Sequence, residues 1–535
     1  MISCIGRAQA ETVTEGMVDE AGTVRRNSSP SRVRTRVAAA AVAVLIGAVA
    51  AVVGLLACSP PGATPRHRTV RPLHPPGLDV TVVPESERAL RRLVIGLPAN
   101  RTRYFMLPST EAFETHSEDP HVRFVRRQSY WLNFELLHGR ILSALPAYTR
   151  LFVALPDPRV VPGSLGNEED VFREYLRTRV GWSERDIRER VRFFTVPVEI
   201  PFPQDIAEVV GTDARGRLVL GVGGDLPEAY REPAGRLARA FPDDFVVLTL
   251  GASEGKGVVD IEGGDLSLVW LPEGDVGLLI GRHRVRRFVQ RQSGEFAQGS
   301  AVPREEIEQA RDAFRRAFFG VETIITGEDG LLQPSAVSEE LFHTDMIVNV
   351  LRAGGRTLAF VPSYQDSPVD AITHVRLSEE VARRVQGEYD LVAGQLARRG
   401  YEVVRLPFAD HPVRNPVNVA RFVNPETGRQ CVMLGKYPYH FPLVPGGPIA
   451  QFELQDAFDR LEDAVDSWRK SPDGRTWSAV EQAFRAVWAA MDTASESRNP
   501  TFEAQADVYS SHGITVIPVV IFPTGEGGLH CLTLG

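Results

Sequence analysis

Short apolar runs recur along this chain, most of them led by an amphipathic helical stretch and many ending in proline. No other feature restricts its folding as tightly. They are Arg150–Pro156 (RLFVALP), Arg190–Val198 (RVRFFTVPV), Gly320–Gly327 (GVETIITG), Arg398–Pro407 (RRGYEVVRLP) and Ser510–Val519 (SSHGITVIPV). Apolar residues with a 3.6-residue period precede most of them, Val381–Arg399 being an example. Helices alternating with strands predict an α/β fold. Five such units predict a repeated architecture.

One stretch departs from that rhythm. IAQFELQDAFDRLEDAVDSW sets Leu454, Phe458, Leu461, Val465 and Trp468 on one helical stripe, and SPDG (Ser471–Gly474) then turns the chain. A second helix follows, carrying Val480, Phe484, Val487 and Met491. The pattern predicts a helical hairpin over residues 446–500, inserted between two α/β units. Packing on the core is the simpler reading of its stripes; a lid over a site is the other.

The N-terminus reads as a targeting signal. Arg25, Arg26, Arg32, Arg34 and Arg36 precede an uncharged run, Val37–Ala57, which ends in LLA before Cys58. Basic residues, an apolar stretch and a small residue before the break predict a secretory signal over residues 1–57. LLAC resembles the bacterial lipobox, in which the cysteine is lipidated and becomes the mature N-terminus. The other reading is an uncleaved anchor, because the run is long enough to span a bilayer. Residues 58–77 are rich in proline and basic residues and predict a semi-rigid spacer, with the body running over 78–535. The expected location is therefore the outer face of a membrane, held by lipid or by the anchor helix.

The leader carries six Arg against four acids, so the net charge of −8 resides in an acidic body. That balance disfavours nucleic acid as a partner and favours a cationic ligand. The cysteines are Cys4, Cys58, Cys431 and Cys531, and only two of them fall in the body. A disulfide framework is excluded, although a single Cys431–Cys531 bridge is arithmetically open.

Four short stretches could carry chemistry. PFPQDIAEVVGT places Gln204 and Asp205 just past a strand ending near Ile200, where an acid is ordinarily a cap or turn former. DIEGGDLSLVW places Glu262 and Asp265 around a glycine pair that permits a tight backbone course, or a plain hairpin turn with solvated acids. It is not a phosphate loop, because the glycine spacing is wrong. LFHTDMIVNVL sets His343 and Asp345 two apart, on one face if the segment is a strand. A surface histidine beside a helix-capping Asp is the plainer account. No third ligand lies near enough in sequence to suggest a metal. Finally GEGGLHCLTLG ends the sequence, with Cys531 behind a glycine-rich turn. A thiolate there is a strong nucleophile if a cation or dipole lowers its pKa; a small buried cysteine in a last strand is the alternative.

Taken in order, Gln-Asp, Glu-Gly-Gly-Asp, His-x-Asp and Gly-Gly-x-His-Cys-x-Thr resemble the guanidino-group modifying enzymes, which include arginine deiminase, agmatine deiminase and peptidylarginine deiminase. The resemblance covers Gln204 to the end, with a first unit upstream. It implies a five-bladed pseudo-symmetric α/β propeller, the pentein, carrying the helical hairpin as an insert. It implies Cys531 as nucleophile, His343 as general acid and base, and Glu262 as the acid that orients that histidine. Asp205 and Asp345 would grip the guanidinium, with Gln204 and Asp265 as further substrate contacts. FPQD resembles the Trp-x-Gln-Asp of peptidylarginine deiminases, with Phe202 where that family has Trp. No cofactor and no metal are expected, and the partner is a small-molecule or peptidyl guanidino compound. Arg282, Arg284 and Arg287 are candidates for a substrate carboxylate, although a solvated basic strand end explains them more simply. The implied reaction is deimination to a ureido product and ammonia. An amidinotransferase is the alternative within this chemistry, and a non-catalytic surface binder of cationic ligands is the alternative outside it.

If LLAC is a lipobox, Cys58→Ser abolishes lipid labelling and leaves an unprocessed or mislocalised precursor. Unchanged processing, read by metabolic lipid labelling and gel mobility, would point instead to an ordinary signal or an anchor helix.

Overall fold

Successive side chains of a strand face opposite ways, so a run that is apolar at every position must be covered on both sides. The computed structural model gives these runs that setting. It describes residues 80–99, 119–200, 203–224, 228–250, 263–293, 300–332, 343–366, 379–408, 415–437, 449–522 and 530, with residues 205, 228–230, 293, 449–453 and 455 by their backbone alone. All of them belong to one compact unit, His67–Gly535.

The described strands form five small sheets in a mixed α/β architecture. The chain opens with β1 (Val80–Val82) and β2 (Arg92–Gly96), then α1 (Pro120–His138) and α2 (Ile141–Ala144). Next come β3 (Arg150–Pro156), α3 (Glu168–Tyr175), α4 (Glu184–Arg190) and β4 (Val191–Val196). In the first sheet β2, β3 and β4 are all parallel. The second sheet is built from β5 (Glu208–Asp213), β6 (Leu218–Gly223), α5 (Glu228–Ala240) and β7 (Phe245–Leu250), with β1 added at its edge. The third contains β8 (Leu266–Trp270), β9 (Val276–Ile280), α6 (Arg282–Ser293), α7 (Arg304–Ala317) and β10 (Glu322–Ile325). The fourth contains β11 (Asn349–Ala353), β12 (Arg356–Ser363), α8 (Glu379–Arg398) and β13 (Glu402–Pro407). The fifth contains β14 (Ala420–Val423), β15 (Gln430–Lys436), α9 (Ile449–Lys470), α10 (Gly474–Glu496), α11 (Pro500–Ser511) and β16 (Thr515–Val520).

Sheets two to five share one plan. Two antiparallel strands form a hairpin, helix follows, and a third strand returns parallel to the hairpin's second strand. That second strand is therefore central and is covered on both faces. In β12, Leu358 and Phe360 enter a core shared with the fifth sheet, while Ala359 and Val361 enter one shared with the third. The same division runs through the other central strands. One core joins the first and second sheets, through Phe152 and Leu220. Another joins the second and third, through Val219 and Leu278. A last core joins the fifth sheet to the first, through Met433 and Val153.

The helical hairpin forms as its stripes require. Leu454, Leu461, Val465 and Trp468 of α9 are buried, as are Val480, Phe484, Val487 and Met491 of α10, in the core that also holds Val125 and Leu132 of α1. It lies inside the fifth unit, between β15 and β16, and not between two units as expected. Two of the five runs, Arg150–Pro156 and Arg190–Val198, supply β3 and β4 of one sheet. The crossover strand of the second sheet, FVVLTL, was not among them. Its helix, α5, has Pro233 in its interior, which removes a backbone donor and blurs the helical signal in the sequence. Among the described residues no helix is long and apolar enough to cross a membrane. The leader and spacer, residues 1–77, lie outside the described residues.

Phe360 is fully buried, and its ring lies 4.5 Å, centroid to centroid, from that of Tyr509. Phe360→Ala is expected to cost about 3–5 kcal/mol of stability through lost burial and the cavity left behind. Equilibrium denaturant unfolding measures this, and a loss below about 1 kcal/mol would mean that the fourth and fifth sheets do not share a packed core.

Candidate functional site

Each sheet's first strand is preceded by a tight turn. Glu85–Glu87 stands before β2, Pro203–Ile206 before β5, Gly263–Asp265 before β8 and Thr344–Met346 before β11. A turn at residues 415–419 does the same before β14. Three of the motifs singled out in the sequence lie on these turns, and the packing brings them together. A Cβ added at Gly263 would collide with the Cγ and backbone oxygen of Gln204, and one at Gly264 would collide with the imidazole of His343. The glycine pair is thus needed for close approach: two neighbouring turns rest directly on its bare backbone. Thr344 Oγ1 donates to Asp265 O at 3.1 Å and closes the same junction.

His530 completes the cluster. Its backbone N–H donates to Asn418 Oδ1 at 2.8 Å. Its Nδ1 lies 3.0 Å from Asp345 Oδ2, and its Nε2 lies 2.8 Å from Glu85 Oε2 and 3.0 Å from Gln204 Nε2. Asn418 Nδ2 donates to the same Asp345 oxygen at 2.9 Å. The other oxygen, Asp345 Oδ1, is 4.0 Å from His343 Nδ1. Beneath this group Arg421, on β14, donates to Glu85 Oε2 at 3.0 Å, to Asn349 Oδ1 at 2.9 Å and to Ser267 Oγ. Gln204, His343, Asp345, Asn418, Arg421 and His530 are all buried.

Charges so confined shift one another. Burial works against the charged form of His530, but the Glu85 charge and the bonds to Asp345 and Glu85 outweigh it and raise the ring to about 10. Burial likewise works to raise Glu85, yet the His530 and Arg421 charges bring it down to about 2. Glu208, on β5, has charged neighbours but no dominant partner. Burial lifts its carboxyl to about 8, against the pull of His530 and with help from Glu85.

Of the residues expected from the sequence, His343, Asp345 and Gln204 are brought together. Glu262, Cys531, Cys58 and the side chain of Asp205 lie outside the described residues. Asp265 belongs to another arrangement. Arg284 Nε donates to its Oδ2 at 2.6 Å with both groups buried, which ties it to the third sheet. The basic segment is corrected in the same way. Arg282 and Arg284 are buried in the first turn of α6, bound to Glu388 and Asp265, and are not a solvated strand end. The His-x-Asp motif is a 3-10 turn and not a strand; β11 starts only at Asn349. His343 and Asp345 meet because that turn is tight. Cys431 carries a free thiol, buried on β15.

Glu85, Asn418 and Arg421 were missed. Nothing near them in sequence marks them; each is an ordinary polar residue beside a strand until the sheets assemble. His530 stood in view beside Cys531, where its order in the motif was the available signal. Among the described residues no group of His, Cys, Asp and Glu is arranged to hold a metal ion. Scanned against models of known protein families the chain matches none, and it has no match among curated proteins.

Gly264→Ala must push the His343 ring away, whereas Gly387→Ala, at an open helical position, meets nothing. The first variant is expected to shift the His343 ring resonances in NMR while remaining folded, and the second to leave them in place. Unmoved His343 resonances in Gly264→Ala would contradict the packing of the two turns.

Glu208 also sets a pH dependence. The folded protein keeps a proton that the unfolded chain releases above about 4.5, so this group's contribution to stability falls as pH rises from there to about 8. Glu208→Gln is neutral throughout and is expected to flatten the decline of Tm across that window. An unchanged slope would place the titration elsewhere.

Proposed function

We propose that this protein hydrolyses guanidino groups, with Cys531 as nucleophile, and that its five sheets are the blades of an α/β propeller. One observation carries the reading. Gln204, the Gly263–Gly264 pair, His343 with Asp345, and His530 meet at one point, although Gln204 and His530 are 326 residues apart. The order of motifs that resembles a guanidine-modifying enzyme is thus matched by a spatial cluster. Supporting the propeller, each core is shared by two sheets, and the last is shared by the fifth and the first. Such a cyclic set is what a closed ring of blades requires.

The cluster suits a planar cation. A guanidinium offers paired N–H donors to carboxylates. Asp345 presents a buried carboxylate whose Oδ2 is fixed by Asn418 and His530 and whose Oδ1 lies beside His343. Gln204 is buried in the same cluster, its amide within hydrogen-bond distance of the His530 ring. Asp205, next in the chain, would supply the second carboxylate.

In the proposed reaction the Cys531 thiolate adds to the central guanidinium carbon, and a C–S bond forms. His343 gives a proton to one terminal nitrogen, which leaves as ammonia as its C–N bond breaks. The imidazole, now neutral, takes a proton from water while the oxygen adds to the same carbon. Collapse expels the thiolate and releases the hydroxyl proton to solvent, where ammonia takes it up as ammonium, and the ureido product remains. Glu262 would hold the histidine ring for both transfers.

The test is a panel of free arginine, agmatine and an arginyl peptide, assayed for ureido product, ammonia and, with an added amine, amidino transfer. Cys531→Ala is expected to bind substrate without turnover, and acid quench of the wild type is expected to trap an adduct on the C-terminal peptide. Asp345→Asn should weaken binding by about 2–5 kcal/mol. Turnover that survives in Cys531→Ala would overturn the mechanism. Binding without turnover by the wild type would favour a non-catalytic receptor for cations.

A further inference from the structure

The ring of His530 touches a carboxylate at each end. Its Nδ1 is 3.0 Å from Asp345 Oδ2 and its Nε2 is 2.8 Å from Glu85 Oε2. Ionised carboxylates only accept hydrogen bonds, so with both acids ionised both ring nitrogens carry protons, and the Gln204 amide, 3.0 Å from Nε2, then turns its oxygen and not its NH2 to the ring. Neither carboxylate stands alone. Arg421 also donates to the same Glu85 oxygen, and Asn418 to the same Asp345 oxygen. Each acid is therefore fixed by two donors.

We propose that Glu85 is a positioning residue of this site, acting through a doubly protonated His530 on Asp345. The inference rests on the reading of Asp345 as the carboxylate that grips a guanidinium. Glu85 keeps the second proton on the ring, and the ring then holds Asp345 Oδ2, so that Oδ1 stays turned toward His343. The device spans the sequence: Glu85 lies before the first sheet, Asp345 before the fourth and His530 after the fifth.

The charged and titratable groups that face His530 are Glu85, Glu208 and Asp345 among the acids, with Arg421 and Arg88 as the cations behind Glu85. Their balance favours the charged ring, whose folded value lies near 10. The stability contributed by this proton is fully present below about 6.5 and is lost as pH rises toward 10. At neutral pH the ring is a fixed cation, and the proton-transfer role stays with His343.

The full-length protein labelled with 15N at histidine provides the test. In the wild type both His530 ring nitrogens, assigned by their loss in His530→Gln, are expected at imidazolium shifts without titration between about pH 6 and pH 8. In Glu85→Gln the ring is expected to titrate within that range. With whichever guanidino substrate the panel identifies, that variant is expected to raise KM by about tenfold or more, with a smaller effect on kcat, the size of one oriented charge-assisted hydrogen bond. Glu402→Gln, which breaks an exposed pair with Arg356, serves as the unchanged control. A bare ring nitrogen in the wild type at neutral pH would overturn the inference, and that reading needs no variant to fold. So would unchanged ring shifts and unchanged KM in Glu85→Gln. If no guanidine is turned over but the ring is an imidazolium that depends on Glu85, the Glu85–His530–Asp345 relay stands and the proposed reaction falls.

Discussion

The site depends on one buried polar chain, Arg421–Glu85–His530–Asp345–Asn418. It begins on β14, passes through the turn before the first sheet, crosses the residue before Cys531, and ends at the turns before the fourth and fifth sheets. Buried charges are costly unless each is paired and hydrogen-bonded. Here the pairing is mutual, because each acid takes two donors and the ring serves both acids. The arrangement is satisfied only when these sheets are in register around the site. The chain thus penalises misassembly more than it adds to stability, which fits the use of buried polar networks to select one structure.

The sheets supply the frame. In four of them the hairpin's second strand is central, parallel to one neighbour and antiparallel to the other, and apolar on both faces. Two-sided burial fixes the register, because a one-residue slip would exchange the contents of two different cores. With the strands held, the turns before them can be short and polar. Loops on a rigid scaffold place chemistry more accurately than loops alone. Gly263 and Gly264 take this furthest, since their missing side chains let Gln204 and His343 approach from either side.

The surroundings of His343 and His530 differ although the residue type is the same. His530 is locked between carboxylates and stays charged, whereas His343 stands 4.0 Å from Asp345. A fixed cation can orient a carboxylate. The difference follows from where the acids lie and not from the histidines themselves.

Much of this was legible in the chain. Alternating helices and apolar runs fix a mixed α/β fold because periodicity is a local property of the backbone. The stripes on α9 and α10 fix a helical pair for the same reason. Where the sequence misled, a local signal was broken or ambiguous. Pro233 hid a helix, two neighbouring runs proved to be strands of one sheet, and Arg282 and Arg284 read as solvated until Glu388 and Asp265 were found against them. The order of motifs named His343, Asp345 and Gln204, but it contained nothing of Glu85, Asn418 or Arg421. Those residues have meaning only through partners 70 to more than 400 positions away, such as Arg421 on Asn349 and His530 on Glu85. Local backbone preference set the elements; the long-range pairing of buried charges, which no short segment encodes, decided which side chains became the site.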